Sequence, residues 1–237
     1  MTQAPPEQED FPSFRAVGDC GLLVTYGTVS SDAVAQQILT LDRRIAEAPP
    51  PGVCEVVPAM VNLLVVFDPL VTDHDSLTES VRALARDAAT DDLAGTERVV
   101  EVCFDDDFAP DLRAVATAKS LSEEAVCERF LNGDFRVRMY GFAPGYAYMS
   151  GVPEAIRVPR KSAAVRDVPA GSVIIAGEQC LVTTLTMPTG WSIIGRSPTK
   201  VLSRGSERPF LFDVGDPVRF RRISRAEYEV RMGEGHG

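Results

Sequence analysis

Apolar residues along the first hundred positions recur in two alternating rhythms. Short apolar runs at 13–17 and 20–26 (SFRAV, CGLLVTY) flank the turn signal Gly18-Asp19 and predict a strand pair. Val34, Ile38, Leu41 and Ile45 then fall on one helical face, which predicts a helix over 31–47 capped by Ser30 or Ser31. Pro49-Pro50-Pro51-Gly52 ends it. Runs at 53–57 and 61–67 predict two more strands, broken at Pro58. Asp73 opens a second amphipathic helix with Leu77, Val81 and Leu84 in register, and 97–104 (ERVVEVCF) reads as a further strand. Strands with helices interleaved in this order predict an α+β class, with an N-terminal ferredoxin-like α/β sandwich over 13–104.

The pattern changes after that. Asp105-Asp106-Asp107 is an acidic run that reads as a solvated turn, since it lacks the spacing of a calcium loop. Two short helices follow, at 110–118 and 122–130, in a connector spanning 105–134. From Phe135 to about 222 the reading is all-β: many short apolar strands separated by Gly and Pro imply a barrel or sandwich over 135–225. The clearest strand cores are 173–176 and 191–194, with later strands at 210–214 and 218–222. Residues 1–12 and 226–237 read as tails.

Composition narrows the class. The 237 residues are 45% hydrophobic and 24% charged, as in an ordinary globular protein. No apolar run approaches a membrane span and no signal peptide is read at the N-terminus, so no membrane partner and a cytoplasmic location are expected. Cysteines at 20, 54, 103, 127 and 180 are odd in number and form no CxxC pair, which fits reduced thiols. A formal net charge of −10 disfavours nucleic acid.

The stretch from Met139 to Pro198 carries the candidate chemistry. Its Gly and Pro residues punctuate apolar and aromatic runs, which is the composition of tight turns between buried strands. Arg157, Arg160, Lys161, Arg166 and Arg196 concentrate positive charge there, a candidate carboxylate or phosphate site on an acidic chain. Ordinary solvated arginines are the competing reading. Ser172, Gln179, Tyr146, Tyr148 and Trp191 are candidates for a pocket taking a small polar molecule, with core packing the alternative for Trp191. The two histidines, His74 and His236, lie outside this stretch. A Ser-His-Asp mechanism and a zinc site are therefore not expected, and no metal ligand set is assigned. Neither GxxxxGK[ST] nor GxGxxG occurs.

The blocks GFAPGYAYMSG, VPRKSAAVRDVPAGSVIIAG and PTGWSIIGRSP, with GDCGLLVTYG and VCEVVPAMVNLLVVFDP upstream, resemble the KipI / allophanate hydrolase subunit 1 family over about 14–222. The resemblance implies a C-terminal cyclophilin-like β-barrel after the N-terminal α/β domain. It implies one subunit of an ATP-dependent 5-oxoprolinase, the B-type one, inactive alone, in an enzyme that opens 5-oxo-L-proline to L-glutamate. The implied partners are a KipA-type protein (the C-type subunit of 5-oxoprolinase) and a LamB/YcsF-type subunit, with ATP bound somewhere in the complex. Other members imply two alternatives: an inhibitor of a sensor histidine kinase, and a component of a urea- or allophanate-type carboxyltransferase or amidohydrolase. The chain departs from the family pattern at CFDDDFAPDL, at Phe130, where a His is frequent, and at EQCLVTT. Within this reading Arg160, Arg166, Ser172 and Arg196 are the expected catalytic groups. Tyr146, Tyr148, Gln179 and Trp191 are the expected substrate-binding groups.

Overall fold

The computed structural model describes residues 10–86, 95–203 and 205–234. The chain divides into two compact units, 1–93 and 94–237.

The first unit contains β1 (Ser13–Val17), β2 (Gly21–Thr25), α1 (Asp32–Glu47), β3 (Val53–Pro58), β4 (Asn62–Phe67) and α2 (His74–Arg86). All neighbouring strands are antiparallel, in the order β1-β2-β4-β3. Ser31 is the cap of α1: its hydroxyl accepts from the Val34 N–H at 3.2 Å. Ile38, Leu41 and Ile45 of α1 and Leu77 and Val81 of α2 are buried against Leu22, Val24, Leu63 and Val65 of the sheet. Alternation along β2 and β4 turns these residues to the helix side, as a half-buried sheet requires.

The second unit holds the remaining strands. They are β5 (Arg98–Val102), β6 (Phe135–Tyr140), β7 (Ala147–Ser150), β8 (Val165–Val168), β9 (Ser172–Ala176), β10 (Gln179–Val182), β11 (Met187–Thr189), β12 (Ser192–Arg196) and β13 (Pro217–Arg222). Seven form one sheet in the order β12-β9-β10-β7-β6-β13-β5. Its two ends meet. Cys103 N–H donates to the Arg196 carbonyl at 2.8 Å and Arg196 N–H donates to the Cys103 carbonyl at 2.9 Å, so the sheet joins back onto itself just beyond β5. The seam is this single bridge, so the sheet is nearly closed. β8 and β11 form a separate two-stranded ribbon.

Helices α3 (Leu112–Lys119) and α4 (Glu123–Leu131) supply Val115, Val126 and Phe130 to the core shared with Val100, Val137, Met149, Val173 and Ile175. Phe130 and Phe220 stack at 4.7 Å within it, inside the range where aromatic pairs attract. Ser122 caps α4 by accepting from the Ala125 N–H at 3.1 Å. The segment expected as a connector, 105–134, is therefore an integral part of this unit.

Several expectations need correction. The strand at 97–104 does not complete the first layer; β5 runs parallel to β13 in the second unit, where Val100 and Val102 are fully buried. The boundary between units accordingly falls near 93 and not at 104. The run 210–214 makes only an isolated bridge, Leu202 to Phe210, because Gly215 and the Asp213–Asp216 turn interrupt it. The end of the chain is a helix, α5 (Arg225–Glu234), through Glu234. It starts with a capping box in which the Glu227 carboxylate accepts from the Ser224 N–H at 2.7 Å and the Glu227 N–H donates to Ser224 Oγ at 3.3 Å. Of the expected tail 1–12, residues 1–9 lie outside the described residues, as do 235–237 at the other end.

Candidate functional site

Successive residues of β7, β9, β10 and β12 point to opposite sides of the closed sheet. Val173, Ile175, Cys180 and Val182 enter the main core, while Ile174, Ala176, Leu181 and Ile193 form a separate apolar cluster with Tyr146, Val168 and Trp191. The ribbon β8–β11 and the turn at 141–146 pack over that second face through Val168, Met187 and Ala143. A cavity of about 140 Å³ remains beside them. Ile174 and Leu181 form its apolar floor, Tyr146, Tyr148 and Trp191 its aromatic walls, and Arg160 its charged group.

The walls are interlocked. Tyr148 meets Trp191 edge-on at 5.8 Å, and the Arg160 guanidinium lies 5.5 Å from the centre of the Trp191 ring. Burial pushes the Tyr146 hydroxyl up from its ordinary pKa. It does the same to Tyr148, with Arg160 pulling the other way. Both phenols stay protonated at neutral pH and can donate.

Asp111, at the start of α3, holds the frame. Its Oδ2 accepts from Lys161 Nζ at 2.5 Å and from the Ile193 N–H at 2.7 Å. Lys161 N–H donates to the Gly190 carbonyl at 2.7 Å. These bonds seat the Arg160-Lys161 segment beside Trp191. Sequence reading did not single out Asp111, and the only signal was its place after Pro110 at a helix start.

Phe142 is a second residue absent from the expectations. It lines the cavity, is 76% exposed and sits at φ +69°. A bulky residue in that region is strained, and such strain clusters at ligand sites. The tight turn that carries it closes through Tyr146 N–H to the Ala143 carbonyl at 3.0 Å. Gly145, at φ +77°, allows this turn, because a Cβ there would stand 2.9 Å from Thr184 Cγ2.

Four of the eight expected site residues thus come together: Tyr146, Tyr148, Arg160 and Trp191. The other four lie elsewhere. Ser172 is fully buried; its hydroxyl donates to the Pro169 carbonyl at 2.8 Å and its N–H to Thr183 Oγ1 at 2.9 Å, so it closes a turn. Arg196 stands opposite Ser172 in the β12–β9 register, with its guanidinium 5.3 Å from the Phe108 ring. Arg166 is exposed on β8. Gln179 opens β10, opposite Ala176 and Ser150.

The sequence model of one protein family, the carboxyltransferase domain, subdomain C and D, matches residues 12–212. The chain belongs to this family. Among its relatives, the B-type subunit of 5-oxoprolinase from Bacillus subtilis is 34% identical over 229 residues, covering 92% of this chain and 95% of that protein. The crystal structure of TTHA0988 superposes with a TM-score of 0.77 at 31% identity, over 86% of this chain and 39% of that one. This chain therefore spans about two fifths of that longer protein. Urea amidolyase of K. lactis superposes with a TM-score of 0.78 over 97% of this chain and 16% of its own, at 17% identity, and so shares the fold. Among the described residues no helix is long and apolar enough to cross a membrane.

Proposed function

We propose that this chain is the B-type subunit of a cytoplasmic ATP-dependent 5-oxoprolinase, acting with a KipA-type and a LamB/YcsF-type subunit to convert 5-oxo-L-proline, ATP and water to L-glutamate, ADP and phosphate. The observation that carries the reading is 34% identity, over nearly the full length of both chains, to the Bacillus subtilis protein of that name. The match to only part of a much longer chain supports a larger assembly around this one.

The pocket chemistry suits the substrate. 5-Oxoproline has one carboxylate, one lactam and a small apolar ring. Arg160 supplies a planar fork for the carboxylate. Ile174 and Leu181 receive the ring methylenes, and the Tyr146 and Tyr148 hydroxyls donate toward the lactam oxygen as it gains charge. ATP bound in the complex would supply a phosphoryl group to that oxygen, with ADP leaving. Water would then add at the ring carbon, the lactam C–N bond would break with its nitrogen protonated, and phosphate would leave to give L-glutamate. The walls of the pocket orient the ring and exclude bulk water from it.

The finer fold reading has support of the same kind. A ferredoxin-like sheet runs 4-1-3-2, and β1-β2-β4-β3 reproduces it if the usual last strand comes first in the chain. We read the second unit, with its joined sheet, as the cyclophilin-like barrel.

Co-expression with the candidate partner subunits tests the function. The expected result is 5-oxoproline-dependent release of ADP and glutamate that disappears when this chain is left out. An assembled complex whose ATP hydrolysis ignores 5-oxoproline would contradict it.

A further inference from the structure

A groove in the second unit lies under α5. The helix covers the turns at 170–171, 183–184 and 197–202 and leaves a cavity of about 200 Å³. Pro198, Thr199, Lys200 and Arg231 also line a neighbouring cavity of about 420 Å³. The charged residues around the two are Lys200, Arg221, Arg231 and Glu101. Glu101 gathers both arginines: Arg221 Nη2 donates to Oε1 at 2.6 Å and Arg231 Nε to Oε2 at 3.2 Å. The Glu101 backbone is itself fixed, its N–H donating to Thr199 Oγ1 at 3.1 Å. Three cations thus line these walls with one carboxylate, on a chain whose formal net charge is −10. Of the hydroxyl residues along the same walls, Thr183 and Thr184 donate to the Pro169 and Pro144 carbonyls, whereas Ser197 Oγ and Thr199 Oγ1 accept from the Thr199 and Glu101 N–H groups and keep their own hydrogens to donate.

Guanidiniums and an ammonium beside the Ser197 and Thr199 hydroxyls form a set that recognises phosphate oxygens. We infer that the groove under α5 binds a phosphorylated anion, either the phosphate chain of a nucleotide or free phosphate or pyrophosphate. Glu101 is a positioning residue there, holding two guanidiniums at the shared wall. The site is separate from the Trp191 pocket and draws on none of its residues. If the anion is ATP, the groove answers which subunit holds the nucleotide in the reaction proposed above, and to that extent it rests on that reading.

Calorimetric titration of the purified full chain with pyrophosphate, ATP and inorganic phosphate is the test. The expected result is saturable binding of pyrophosphate and ATP, weakened at least about tenfold by the double variant Lys200→Ala/Arg231→Ala. Arg160→Ala should leave it unchanged. Equal affinity for pyrophosphate and ATP assigns recognition to the phosphates alone; tighter ATP binding adds contacts from the base. Should the double variant fail to fold, Lys200→Gln alone is expected to weaken binding several-fold with an unchanged circular dichroism spectrum. Wild-type chain that binds none of the three at millimolar concentration overturns the inference, as does variant binding equal to wild type. Because the readout is binding, the result stands whether or not the complex turns over 5-oxoproline.

Discussion

Asp111 lies outside the pocket and fixes two of its walls, the Arg160 segment through Lys161 and the Trp191 strand through the Ile193 N–H. Replacing it with Ala leaves an ammonium and a backbone N–H without their acceptor, both at partly buried positions. We expect Asp111→Ala to cost ~1–3 kcal/mol in urea denaturation and to raise the KM for 5-oxoproline in the assembled enzyme. Asp111→Asn retains an acceptor for the Ile193 N–H and should fall between Ala and wild type. An unchanged midpoint for the Ala variant would show that the frame is held by other contacts. The contrast with Ser172 shows how far residue type alone could be read. Tyr146, Tyr148 and Trp191 were expected to line a pocket with core packing as the alternative, and Arg160 was expected in the cationic cluster; their meeting in one cavity comes from the fold. A serine in such a stretch has two common uses, as a reacting hydroxyl or as the bond that closes a turn. Only its full burial and its bond to Pro169 separate them.

At the scale of elements, the seam between β5 and β12 decides whether the sheet closes. Gly195 makes it possible: a Cβ there would stand 2.7 Å from Val102 Cγ2 and 3.1 Å from the Cys103 carbonyl. Gly195→Ala should therefore push β12 away from β5 and cost about 1–3 kcal/mol, as overpacking in a filled core does. Hydrogen exchange at the Cys103 and Arg196 amides is the direct readout. These should lose protection before the β6–β7 amides do, and uniform protection in the variant would contradict the seam's role. The strand itself was legible in ERVVEVCF, but its partner was not. Local periodicity reports that a segment is extended and which residues share a face, and it carries no information on which sheet receives them. The terminal helix was missed for a different reason. Ser224 and Glu227 form a readable capping box, yet Gly233 and Gly235 close by gave the segment the look of a tail.

At the scale of the molecule, each unit has its own buried cluster, and the candidate chemistry lies in the second. The first supplies a four-stranded antiparallel sheet with two helices packed on it. The second supplies a nearly closed sheet with an aromatic pocket on one face and a cationic groove under α5. The α+β class and helices α1 and α2 followed from hydrophobic spacing, since burying one face of each element is what that spacing encodes, while α3 and α4 followed from their start signals. The groove was not legible, because Glu101, Lys200, Arg221 and Arg231 come from four separate stretches joined only by the fold.

The central claim is that the pocket beside Trp191 takes 5-oxoproline. Trp191 is the single tryptophan of this chain, so its fluorescence reports on that pocket within the chain. The deciding measurement is a titration of the chain, assembled with partner subunits in which tryptophan has been replaced, with 5-oxo-L-proline. A saturable change in Trp191 emission is predicted, with the apparent Kd raised about tenfold or more in Arg160→Ala through loss of a charge-assisted contact. Turnover of 5-oxoproline with Trp191 emission unaltered at saturation would place the substrate elsewhere and contradict the assignment.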